Sequence, residues 1–135
     1  MTYRIDDLDI YRKFVSAAAQ LYRIADDGAA KAPSLSDQVQ RKALTAVTLL
    51  ASGLGFWEPE RKAAEFADSK REILELLPLV GLMGSLGCIS QETKRDAAAE
   101  LNDLAKILSG LIRGSRRRVT TGPEGEQQPA EASVN

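Results

Sequence analysis

Apolar side chains recur at steps of three and four along four separate stretches of this chain, and breaks carrying Gly or Pro divide each stretch from the next. That spacing puts one apolar stripe on each of four helices, and it leaves no alternating pattern from which a strand could form. In the first stretch, residues 6–27, Tyr11, Phe14, Val15, Ala18, Leu21, Tyr22 and Ala25 make the stripe. Asp6, Asp7 and Asp9 stand near its start, where the helix dipole favours anions. "GAAKAPS" interrupts the pattern with Gly28 and Pro33, and Ser36 offers a cap oxygen to a second helix over residues 36–55. Its stripe is Val39, Ala43, Ala46, Val47, Leu50 and Leu54.

Pro59 suits the first turn of a third helix, residues 59–84, because its missing N–H would be unsatisfied there in any case. Phe66, Ile73, Leu76, Leu77, Val80 and Met83 line it, and Pro78 inside it predicts a bend. Gly81, Gly84 and Gly87, three apart in "GLMGSLG", read as a closely approached or loosened helix end. Ser90 caps a fourth helix carrying Ala97, Leu101, Leu104, Leu108, Leu111 and Ile112, and Gly114 is its natural stop.

Aromatics make up only 5% of the chain, and Ala and Leu outnumber the β-branched residues, which agrees with helix over sheet. The expected fold is all-α, an antiparallel up-down-up-down four-helix bundle over residues 1–113. The segment that follows, residues 114–135, ends in "TTGPEGEQQPAEASVN" and has almost nothing apolar to bury, so a disordered tail is expected. The lone cysteine, Cys88, has no partner for an internal disulfide, and no apolar run near Met1 follows a basic patch; the expected compartment is cytoplasmic. The longest apolar run, residues 76–86, is interrupted by Pro78 and too short for the roughly 20 residues of a membrane span.

The overall charge of −1 conceals an uneven distribution. Residues 1–113 carry 15 Lys or Arg against 16 Asp or Glu, "GSRRRV" then adds Arg116, Arg117 and Arg118, and residues 119–135 hold three Glu and no base. With Arg113, these arginines form a basic cluster that suits phosphates, although cations after a helix C-terminus also simply complement its dipole. Arg41 and Lys42 extend the candidate nucleic-acid-binding set. Lys62, Lys70 and Arg71 would extend the same basic surface, yet acids intersperse all five of these cations, and each read singly is an ordinary exposed charge. No aromatic ladder invites base stacking, so binding is expected through phosphates, with little sequence reading.

The residues point away from an enzyme. No histidine is present, which removes the commonest general base and metal ligand. Glu65, Asp68, Glu72 and Glu75 share one side of the third helix, and Asp96, Glu100 and Asp103 one side of the fourth. Basic neighbours make these salt-bridged faces rather than cation sites. Cys88 reads as a small buried hydrophobe, and Ser34, Ser36 and Ser90 as caps rather than nucleophiles. No metal or cofactor is expected.

The run "TAVTLLASGLGFW", residues 45–57, carries no charge, and its apolar residues exceed one helix face. The run "LSDQVQRKALTAVTLLASG", followed by Glu65 and Phe66, Glu75 and Leu76, and "LGCIS" before the last helix, resembles the four-helix-bundle family of rRNA intervening-sequence proteins. That family includes the accessory variability determinants of diversity-generating retroelements. The resemblance covers residues 8–113. Leu49, and Ala51, Ser52 and Gly53, stand where the intervening-sequence branch usually has Asn and Ala-Glu-Gly, which tilts the likeness toward the retroelement branch. It implies a ring-shaped homopentamer that binds RNA or DNA and docks a reverse transcriptase. Leu44, Leu49 and Trp57 are then the candidate oligomer interface, since a helix buried on more than one side needs a neighbour. The alternative is that all three are core of a single subunit. A competing function is a structural or protein-interaction bundle without nucleic-acid binding.

Overall fold

The computed structural model describes residues 5–126, with side chains described for residues 7–118. Four helices, α1 (Ile5–Gly28), α2 (Pro33–Gly55), α3 (Pro59–Ser85) and α4 (Gln91–Glu126), account for all the described regular structure. α1 packs on α2, α2 on α3 and α3 on α4, while α1 and α4 meet only sparingly. The four stripes read from the sequence supply one core. Phe14, Leu21, Leu50, Phe66, Ile73, Leu76, Met83, Leu101, Leu104 and Leu108 are buried within it. Among the described residues no helix is long and apolar enough to cross a membrane.

Helix starts and stops follow local chemistry, with two departures from expectation. Pro59 opens α3 as its first residue. Ser90 caps α4, its Oγ accepting the Thr93 N–H at 3.0 Å. α3 ends where the Gly87 N–H donates to the Gly84 carbonyl and the Cys88 N–H to that of Met83, with Gly87 at φ 75°. This paired closure requires a left-handed residue, and glycine takes that conformation without a Cβ penalty. Ser36, by contrast, does not cap α2. Pro33 opens that helix after Ala32, because a proline at the first position needs no acceptor. Ser36 lies one turn in, with its N–H on the Ala32 carbonyl at 3.0 Å and its Oγ buried without a partner.

Gly114 does not stop α4, which runs on to Glu126. The buried face of the helix continues past it: Ile112 and Ser115 are both buried, and the Ser115 Oγ donates to the Leu111 carbonyl at 2.9 Å. A single glycine costs a helix only about 1 kcal/mol, which continued packing offsets. Residues 114–126 of the expected tail are therefore helical, and residues 127–135 lie outside the described residues. α3 likewise continues through Pro78, which is exposed and withholds a donor from the Leu74 carbonyl.

Polar contacts set the register of α2 against α3. Lys42 of α2 reaches Glu75 of α3, the Ser69 Oγ donates to the Ala46 carbonyl, and Lys62 reaches the Gly53 carbonyl. Between α3 and α4, Gln91 donates to the Gly84 carbonyl, and Lys70 and Ser109 border one groove.

Candidate nucleic-acid interface

Between α3 and α4 lies an open groove of about 620 Å³. Lys70 and Arg71 border it from α3, and Arg113 and Arg116 from α4. Ala67, Leu74, Pro78, Ser109 and Ile112 form its uncharged lining, and among the described residues Glu75 is the only acid along it. Lys70 and Arg71 lie four and three residues from Leu74, which brings them to one side of α3. Arg113 and Arg116 are three apart and share a side of α4 for the same reason. Packing α3 against α4 therefore collects four cations that stand more than forty residues apart in pairs along the chain.

Carboxylates near the groove are already engaged. Lys42 donates to the Glu75 Oε1 at 2.8 Å and lies 3.6 Å from Glu72. That hydrogen bond, more than the accompanying charge attraction, holds the Glu75 carboxyl below its ordinary pKa and the Lys42 ammonium above its own. Arg71 pairs with Asp68 at 3.1 Å. Lys70, Arg113 and Arg117 have no carboxylate within 4.0 Å among the described residues. Arg117 and Arg118 are exposed beyond the groove.

The sequence candidates thus separate. Arg113 and Arg116 line the groove. Arg41 does not join them: it is bonded to Asp37 at 2.8 Å, a hydrogen bond that raises its pKa. Lys42 touches the groove only through Glu75. Lys70 and Arg71, taken singly as ordinary charges, are the residues whose role the sequence understated. The signal for them lies in the pairing of α3 with α4, which no local pattern encodes.

Of the candidate oligomer residues, Leu44 is 52% exposed, Trp57 is 64% exposed and Leu49 is half-buried. None is enclosed in the core. They do not make one patch, however. Gln40 donates to the Tyr22 carbonyl and to Asp26, so the side of α2 that carries Gln40 and Leu44 borders α1. There Tyr11, Val15 and Tyr22 are also exposed. Leu49, five residues on from Leu44, lies on the other flank of α2.

The carboxylate stripes of α3 are largely ion-paired, through Asp68 with Arg71 and through Glu72 and Glu75 with Lys42. Among the described residues no group of three His, Cys, Asp or Glu side chains is placed to hold a metal ion. Cys88 is half-buried, against the core beside Gly28. A smaller cleft of about 150 Å³ separates α1 from α4, bordered by Gln20, Thr93, Asp96 and Glu100 above an apolar floor. No family model, curated protein or solved structure matches the chain.

Proposed function

We propose that this chain is a non-catalytic, oligomeric accessory protein that binds RNA or DNA through phosphate contacts. The observation that carries this reading is the groove in which Lys70, Arg71, Arg113 and Arg116 converge while its one acid is bonded to Lys42. Four such cations on each copy, multiplied by assembly, give avidity and a steep dependence on salt. The bundle is an antiparallel up-down-up-down one, as the packing of each helix on the next and the paired contacts of α2 with α3 and α3 with α4 support, and its copies form a closed ring. A cyclic head-to-tail contact needs two dissimilar surfaces on each subunit, and the Leu44 flank and the Leu49 flank of α2 supply them. The resemblance to retroelement accessory determinants adds a homopentamer and a reverse transcriptase partner to the proposal, and the single cysteine fits a cytoplasmic setting.

A second reading, a structural or protein-interaction bundle that ignores nucleic acid, draws on the exposed Tyr11, Val15, Tyr22 and Leu44. Gel retardation of a labelled oligonucleotide across a salt series, with the wild type and a Lys70→Glu, Arg113→Glu variant, separates the two. Retardation that fades as salt rises, and is lost in the variant, supports the groove. No retardation at low salt by the wild type leaves only the second reading. Light scattering tests the ring, which requires a species several times 14.6 kDa.

A further inference from the structure

Trp57 is the chain's single tryptophan and, among the described residues, the most exposed large apolar side chain. It stands in the turn between α2 and α3, and that turn is firmly held. The Lys62 Nζ donates to the carbonyls of Gly53, Leu54 and Phe56 at 2.9, 3.2 and 3.0 Å. The Arg61 guanidinium lies 4.2 Å over the Phe56 ring, and Pro59 sets the chain's direction into α3. One aromatic of the turn is thus covered by a cation, and its neighbour is presented to solvent from a fixed frame.

The register of α3 and α4 shows what else lies at that end of the bundle. Gly84 of α3 lies directly against the side chain of Lys94 of α4, and the groove bordered by Ala67 and Ile112 follows from that register. Eight residues back along α3 reach Pro59, and eight forward along α4 reach residue 120, each about 12 Å away. Arg116, Arg117 and Arg118 therefore stand level with the first turn of α3, beside which Trp57 sits. Arg61 adds a fourth cation there, while Glu58 and Glu60, one and three residues beyond Trp57, bring negative charge to the turn and disfavour a phosphate directly upon the ring.

Resting on the nucleic-acid reading above, we propose that Trp57 is a stacking platform for an unpaired base of a single-stranded nucleic acid, whose phosphates run on to the arginines of α4. An aromatic face accepts any base and contributes strongly to single-strand binding without reading sequence. Bases within a duplex are already stacked on both faces, so the platform selects single strands. One exposed ring at a cationic end differs from a ladder of aromatics, and it anchors one base while the cations hold the backbone.

The lone tryptophan reports on its own environment. Its emission is followed while the full chain is titrated at low salt with an oligothymidylate, and separately with a duplex of equal length, alongside gel retardation. Quenching by the single strand and not by the duplex is expected. Trp57→Ala should weaken single-strand binding about tenfold or more, Trp57→Phe should retain most of it, and duplex affinity should stay unchanged. Circular dichroism verifies that the variants keep their helices. Single-strand binding by Trp57→Ala as tight as the wild type, still falling with salt, overturns the platform and leaves the groove reading standing. An emission change on concentrating the protein alone, with a smaller assembly in Trp57→Ala, overturns it by making Trp57 a contact between copies. Failure of the wild type to bind either oligonucleotide removes both proposals.

Discussion

Ser69 donates its buried hydroxyl to the main-chain carbonyl of Ala46 at 2.8 Å and so fastens α3 to α2 through the middle of the core. Ser36, buried to a similar degree near the start of α2, has no partner for the same group. One substitution should therefore act with opposite sign at the two sites. Ser69→Ala should destabilise the fold by about 1 kcal/mol, the net worth of an intramolecular hydrogen bond. Ser36→Ala should stabilise it by about 1 kcal/mol, since it removes an unsatisfied hydroxyl and improves helix propensity. Urea midpoints at constant slope measure both, and equal effects at the two positions would contradict the distinction.

Two glycines make a second pair of opposites. A Cβ at Gly53 would stand 2.6 Å from the Phe66 ring, which is itself buried, whereas a Cβ at Gly81 meets nothing within 4 Å. Gly53→Ala should cost about 1–3 kcal/mol through overpacking between α2 and α3. Gly81→Ala, inside α3, should gain about 0.5–1 kcal/mol by reducing the freedom of the unfolded chain. Thermal midpoints moving in opposite directions are the expected result.

Lys62 closes the end of α2 with three hydrogen bonds to carbonyls that the helix leaves open, and its ammonium lies 5.7 Å from the Phe66 ring centre. Lys62→Met retains the aliphatic stem and removes the donors. The loss should be about 1.5–3 kcal/mol, the range for hydrogen bonds from a charged group. Amide hydrogen exchange should quicken first in residues 53–58.

Glu75 and Lys42 give stability a specific pH dependence. The hydrogen bond from Lys42 depresses the Glu75 carboxyl, so its contribution is complete above the unfolded carboxylate value and is lost as pH falls through the folded one. Lys42 is raised, so the pair's contribution is complete below the unfolded lysine value and is lost as pH rises through the folded one. Glu75→Gln should be less stable than the wild type at neutral pH and equal to it well below the carboxylate range. A difference that persists unchanged into strong acid would show that packing, not charge, links the two residues.

The stripes were legible because periodicity is local: Phe14, Leu50, Phe66 and Leu104 lie in the core where their spacing puts them. Ser90 was legible as a cap for the same reason. Ser36 and Gly114 were not, because each carries a local signal that tertiary burial overrides, in Ser36 and Ser115 respectively. The groove shows the limit most clearly. Arg113 and Arg116 stood out as a run of like charge, whereas Lys70 and Arg71 became relevant only once α3 was laid against α4. Arg41 and Lys42 looked equally basic in the sequence, but Asp37 and Glu75 sit within reach of them in the fold.

Continuation of α4 through Gly114 also fixes the compass bearing of each arginine it carries. At about 100° per residue, Arg113 and Arg118 point some 140° apart around the axis. A slack peptide would let all four guanidinium groups converge on one short stretch of backbone. A rod holds them as a collar, so a ligand that engages the whole set must curl around the helix, or two ligands must share it.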